Sequence, residues 1–239
     1  LGASTAEAQT SVAVDVAEQV LAVPNGHAAR YAVNVPLISP EIAAVLSPYM
    51  PVASDVGKLC IQLSDGRLSS IAIRYEGEIS NYDTTALKAA IIGSILEPMT
   101  DERVNLVNAN VIAQSRGLKV IEQKTSRCEN YTSLITVEVT TDKGTTTVAG
   151  TLMREQTHIV RVNNYWLDIV PTGGYWLFSD HLDRPGIIGA VGLVTGESDI
   201  NISSMLVARL KPRGPALMVL AVDEQLNETQ IQKLLAIPD

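Results

Sequence analysis

The chain has 239 residues, 46% of them hydrophobic and 18% charged, enough to bury one large core or two modest ones and too apolar for disorder over most of its length. A net charge of −8 would be repelled by a phosphate-rich surface, and 4% aromatic residues make no stacking platform for bases, so nucleic acid is a poor partner. No apolar run approaches the roughly 20 residues needed to cross a bilayer, which argues against a membrane partner.

The chain opens at Leu1-Gly2 without an initiator Met and without a basic start followed by an apolar run, which reads as a fragment lacking a signal peptide. Ser4-Thr5-Ala6-Glu7 is a capping box with Ser4 as N-cap. Val12, Val16 and Val20 follow at intervals of four, one helical stripe, until Pro24-Asn25-Gly26 ends it. His27 to Pro36 reads as an extended linker. Ser39-Pro40-Glu41 starts a new helix with Pro at its first position. Val52, Val56, Leu59, Cys60 and Leu63 form the stripe of another, stopped at Asp65-Gly66. Ile71, Ile73 and Tyr75 alternate with Ala72 and Arg74, a half-buried strand. Asp83-Thr84-Thr85 caps a helix through Leu87, Ile91 and Ile95 that breaks at Pro98. Asn108 to Arg116 forms a short helix closed by Gly117, and the paired Asn105 and Asn108 before it read as caps.

From there the sequence turns β-rich. Leu134–Thr140 and Thr145–Leu152 flank the turn Thr141-Asp142-Lys143-Gly144, and His158–Val162 and Tyr165–Val170 flank Asn163-Asn164. Pro171-Thr172-Gly173-Gly174 is a boundary. Beyond it come a strand at Tyr175–Asp180, a helix from Asp183-Arg184-Pro185-Gly186 to about Gly196, strands around Ile202 and Ala216–Val222, and a helix capped by Asn227. That order, β-α-β-β-α, is a ferredoxin-like unit without its final strand.

Several chemistries find no footing. The three histidines His27, His158 and His181 lie far apart and in no metal spacing, so no metal is expected. There is no Gly-x-Ser-x-Gly elbow and no Gly-x-Gly, so neither a nucleophilic serine nor a bound nicotinamide cofactor follows. Gly186, Gly189 and Gly192 lie along a helix, where small residues permit close packing. Cys60 and Cys128 read as reduced thiols of a cytoplasmic protein, with a single disulfide left open. No catalytic residue is expected.

The most specific signal is His181-Leu182-Asp183-Arg184-Pro185-Gly186-x-x-Gly189 with Asp199-Ile200-Asn201-Ile202 after it. It resembles the ACT domain, a ligand-binding module that pairs side by side. The physics suits that role. A strand feeds a tight loop into a helix start, where free amides and the positive dipole end favour the carboxylate of a free amino acid. Asp183 would balance its ammonium and Asn201 would bond either end. The resemblance implies effector contacts at His181, Asp183 and Asn201, with Arg184 and Gly186 in the same loop. The plainer alternative is that Asp183 only caps the helix.

The opening Leu1 to Gln9 resembles a segment of the D-2-hydroxyacid dehydrogenases. The middle of the chain resembles the intervening domain of long-form phosphoglycerate dehydrogenases, through Val33-Asn34-Val35-Pro36, Tyr82-Asp83-Thr84, Val104–Ala109, Arg116-Gly117, Tyr131–Ile135, Ala149–Leu152 and Ile159–Tyr165. Such a series in family order implies an α+β chain of three parts. These are a helix remnant of the catalytic region over 1–30, an intervening domain of helices on an antiparallel sheet over 31–172, and an ACT domain over 173–239 lacking its last strand. It implies a regulatory and oligomerisation region, with NAD used by the parent enzyme and not by this stretch. It further implies an amino-acid effector such as L-serine, and self-association into a dimer or tetramer. Some relatives bind an anion in the intervening domain, for which Arg116, Arg161, Arg154 and Lys124 are candidates by charge; where those relatives carry Lys or Arg, this chain has His158. The alternatives are a stand-alone amino-acid sensor and the regulatory half of an iron–sulfur L-serine dehydratase, which needs several thiolate ligands.

Overall fold

The computed structural model describes residues 5–22, 40–102, 104–105 and 107–237. The chain divides into two compact units, 1–39 and 40–239. In the first, helix α1 spans Ala6–Ala22. At its start the Thr5 hydroxyl accepts from the Ala8 amide at 3.2 Å; Ser4, the expected cap, the Pro24-Asn25-Gly26 stop and the 27–36 linker lie outside the described residues. The Val12, Val16 and Val20 stripe is present on α1 and is exposed.

The second unit opens with α2 (Pro40–Leu46), Pro40 holding the first helical position as its fixed φ predicts, and α3 (Tyr49–Gln62). Strand β1 (Leu68–Gly77) and α4 (Thr85–Leu96) follow. The Asp83 carboxylate accepts from both the amide and the hydroxyl of Thr85, at 3.0 and 2.6 Å, and so anchors the start of α4. Before α5 (Ala109–Ser115), the side chains of Asn105 and Asn108 each accept from the other's backbone amide, and Asn108 takes the N-cap position without a side-chain bond into the helix.

Next come β2 (Lys119–Thr125), β3 (Ser133–Thr141), β4 (Thr145–Met153), β5 (Gln156–Val162) and β6 (Tyr165–Ile169). With β1 they build one sheet in the order β2-β1-β3-β4-β5-β6. The α+β class is borne out, and the sheet is mixed rather than purely antiparallel. The reason is connectivity: α4 and α5 carry the chain over from β1 to β2, so β2 returns parallel to β1, whereas short turns link the later strands antiparallel.

Helices α3 and α4 supply the main core, where Val52, Val56, Cys60, Leu87 and Ile91 meet Ile71, Ile73, Val137 and Val148. A smaller core joins α4 and α5 through Ile92, Leu96 and Ile112.

The rest is β7 (Tyr175–Leu182), α6 (Ile187–Glu197), β8 (Ile202–Arg209), β9 (Pro215–Val222) and α7 (Glu228–Leu235), the expected β-α-β-β-α order. The sheet runs β7-β9-β8, antiparallel throughout, so β7 and β8 are its edges. Among the described residues no strand follows α7. Central β9 is buried from Ala216 to Val222 because both its faces are covered. Met218, Leu220 and Val222 pack with Ile187 of α6, while Leu217 and Val219 join the core of the larger sheet. Trp176 and Phe178 of β7 pack on that same core, so the two sheets share apolar contact.

Candidate functional site

The site grows from one end of the three-stranded sheet. Leu182, the last residue of β7, pairs with Pro215, the first of β9, so the loop after β7 lies beside the turn joining β8 to β9. The Asp183 amide donates to the Gly214 carbonyl at 2.9 Å. Its carboxylate accepts from the Arg209 guanidinium at 2.8 Å and from the Arg213 amide at 3.3 Å. These bonds, the guanidinium first, hold the Asp183 carboxyl below its ordinary range.

Asp183 is therefore not the cap of α6, a correction to the sequence reading. The cap position belongs to Gly186, in the left-handed region at φ 99°, and no side chain bonds into the helix start. The first helical bond runs from Ala190 to Gly186, so the amides of Ile187, Ile188 and Gly189 have no partner within the helix. Around this start lies a cavity of about 330 Å³ lined by Asp183, Arg184, Gly186, Ile188, Arg209 and Arg213. Three guanidiniums against one carboxylate, at the positive end of an eleven-residue helix, favour an anionic group.

Other expected contacts are distributed. His181 lines a second cavity of about 300 Å³, with Leu177, Ile187 and Val191, and its Nδ1 lies 3.3 Å from the Ser179 carbonyl. Asn201 sits at the opposite end of the sheet: Ile202 pairs with Val222, seven residues along β9 from the partner of Leu182. At about 3.3 Å per residue that is roughly 23 Å, so Asn201 and Asp183 of one chain do not share a small ligand. Asn201 donates through Nδ2 to Asp223 at 2.6 Å and through its amide to Glu224 at 2.9 Å.

The four anion candidates are not gathered. Arg116 donates to the Met99 carbonyl and Lys124 to that of Tyr82, at 3.0 and 2.7 Å. Arg154 occupies the β4–β5 turn at φ 50°. Arg161 donates to the Asn163 carbonyl and lies over the Trp166 ring, 5.7 Å from its centroid. The residues that share a cavity with Arg161 are Arg74 and Arg127, together with Glu76 and Glu129. His158 bonds Asp168 at 2.6 Å.

Sequence reasoning missed Arg209 and Arg213, which complete the loop. The only sequence signal was the polar turn Lys211-Pro212-Arg213-Gly214-Pro215 between two strands. No cluster of three His, Cys, Asp or Glu suited to a metal occurs among the described residues.

Comparison with known proteins gives this fold a family. Residues 45–163 match the model of the D-3-phosphoglycerate dehydrogenase intervening domain. Along its whole length the chain is 36% identical to D-3-phosphoglycerate dehydrogenase of Bacillus subtilis (strain 168), covering 46% of that protein. It is 38% identical to the Synechocystis sp. protein of the same name and 36% identical to that of Methanocaldococcus jannaschii, again over all of this chain, covering 44% and 45% of theirs. The chain thus spans about half the length of the curated relatives it matches. No described helix is long and apolar enough to cross a membrane. With residues 45–163 matching the intervening domain and this identity along its whole length, the chain belongs to the D-3-phosphoglycerate dehydrogenase family, matching a C-terminal portion of it.

Proposed function

We propose that this chain is the regulatory and oligomerisation region of a cytoplasmic phosphoglycerate dehydrogenase. The parent enzyme would oxidise 3-phosphoglycerate to 3-phosphohydroxypyruvate with NAD, the first step of L-serine biosynthesis. On this reading residues 1–30 come from the catalytic region, 31–172 form the intervening domain and 173–239 the ACT domain. The ACT domain binds an amino-acid effector, L-serine, and pairs two subunits. Arg161, with Arg74 and Arg127, is the anion contact proposed for the intervening domain.

The observation that carries the reading is the placement of Asp183 and Asn201 at opposite ends of a sheet whose β8 edge carries no further strand among the described residues. A two-fold pairing along β8 runs the two edges antiparallel. It brings Asn201 of the partner subunit to the end where Arg209 holds Asp183. Serine would lay its carboxylate on the uncapped amides of α6 beside Arg184 and Arg213, its ammonium on Asp183, and its hydroxyl on Asn201 of the partner subunit. His181, behind the loop, would orient it.

A ligand bound between subunits stabilises one pairing over others. A typical coupling of about 1–3 kcal/mol changes behaviour at a distant site several-fold or more. Calorimetric titration of the chain with L-serine tests the reading. Heat of binding and a raised melting temperature are expected; the absence of both at millimolar ligand contradicts the reading. The iron–sulfur alternative finds no support from Cys60, which is fully buried with its thiol donating to the carbonyls of Val137 and Thr146.

A further inference from the structure

An apolar-walled cavity lies where the two sheets meet. It has a volume of about 470 Å³, within the roughly 300–1,000 Å³ typical of small-molecule sites. Its walls are Leu59 of α3, Leu63 just after that helix, Ile159 of β5, Ile169 of β6, and Tyr175, Trp176 and Phe178 of β7. Its polar groups come from one face of α3. Asp55, Lys58 and Gln62 stand three and four residues apart, the spacing that aligns side chains along a helix.

Two features make this more than a packing defect. The wall mixes three aromatic rings with four branched aliphatic side chains, a surface complementary to a flat or bulky apolar group. The charges are opposite in sign and one helical turn apart, and the carboxylate is the more buried of the two. Burial raises the Asp55 carboxyl above its ordinary value against the lowering effects of a Thr157 hydrogen bond and of Lys58. The protein therefore leaves the Asp55 carboxylate only partly compensated, and a bound cation would complete its pairing. Lys58, which also lines the cavity, is exposed.

We propose that this cavity is a second amino-acid site, taking a zwitterion with a large apolar side chain, aromatic or branched. The ammonium pairs with Asp55, the carboxylate with Lys58, and the side chain lies against Trp176 and Phe178. The chemistry differs from that of the loop at Asp183, which has little apolar wall. The proposal does not depend on the serine reading. Because the cavity is walled by both sheets and by the connection through Pro171 and Gly174, an occupant bridges α3 and β7.

The test uses the whole chain carrying Trp166→Phe, so that Trp176 is the sole indole. L-phenylalanine and L-leucine are titrated while Trp176 fluorescence is followed, with calorimetry in parallel. A saturable change at millimolar or lower ligand is expected. It should weaken about tenfold or more in Asp55→Asn, which keeps the shape and the Thr157 bond, and by a lesser factor in Lys58→Gln. Phenethylamine should bind more tightly than hydrocinnamate, because the buried partner is the carboxylate. An excess of L-serine should leave the Trp176 response unchanged, which separates this site from the loop. No saturable response to either amino acid, or equal binding by parent and Asp55→Asn with unchanged melting temperatures, overturns the proposal.

Discussion

The carboxylate of Asp183 meets the guanidinium of Arg209 at 2.8 Å across 26 residues of sequence. The pair ties the loop after β7 to the end of β8 and frees the start of α6 from side-chain capping. Its partners fix what the loop can offer, namely uncapped amides, guanidinium groups and one carboxylate already oriented.

Arg209→Gln removes this tie without disturbing a core. The melting temperature of the unliganded chain should barely move, since Arg209 is half-exposed in an ion pair at the surface. L-serine affinity should fall about tenfold, the effect of losing one charge-assisted contact. Differential scanning calorimetry and titration calorimetry read the two effects separately.

Asp83 gives a pH dependence with a definite sign. Bonds from the Thr85 hydroxyl and amide, more than the nearby Lys124 and Lys88, hold its carboxyl below the ordinary value of 3.8. A depressed carboxyl adds stability above that ordinary value and loses it as pH falls through the folded one. Asp83→Asn should therefore cost about 0.5 kcal/mol at neutral pH, a small figure because the group is exposed and screened. The difference from the parent should shrink in urea titrations as the pH falls through the carboxyl's lowered folded value.

Two glycines should respond with opposite signs. A Cβ at Gly57 would lie 2.3 Å from the Ser94 hydroxyl and 2.9 Å from the Ile91 carbonyl, where α3 crosses α4. Gly57→Ala should destabilise by about 1–3 kcal/mol. At Gly192, within α6, a Cβ meets nothing within 4 Å, so the close packing expected of this helix's glycines does not occur among the described residues. Gly192→Ala should stabilise by about 0.5–1 kcal/mol. Urea midpoints decide both.

The two thiols should differ in reactivity. Burial, more than any neighbouring charge, pushes the Cys60 thiol up to about 12, and it is closed to solvent. Cys128 is only partly buried. Titration with Ellman's reagent should find one fast thiol in the native chain and the second only after denaturation. Cys128→Ser should abolish the fast phase.

Much of the fold was legible because local signals agreed. The alternation of Ile71, Ile73 and Tyr75 marked β1, and Asp83 marked the start of α4. The apolar run of β9 marked a strand buried on both faces. Strand β2 escaped notice because its burial scarcely alternates: Val120 is its only half-buried residue and the other six are exposed, so no two-residue period exists to detect. The β4–β5 turn was silent because Arg154 and Glu155 adopt positive φ without the glycine or asparagine that announces such turns. In the site, the loop from Asp183 to Gly186 was legible as a strand-to-helix junction. The Arg209 contact and the distance to Asn201 were not, because both depend on strand register, which spacing along the chain does not encode.

The central claim is that each effector site draws on two chains. Asp183→Ala and Asn201→Ala variants, each unable to bind L-serine alone, can be mixed, unfolded and refolded together. A mixed pair contains one site with both Asp183 and Asn201 intact and one with neither, so titration calorimetry of an equal mixture should recover about a quarter of the parent's sites at parental affinity. A mixture that binds no serine, or a single variant that binds it as the parent does, would contradict the account.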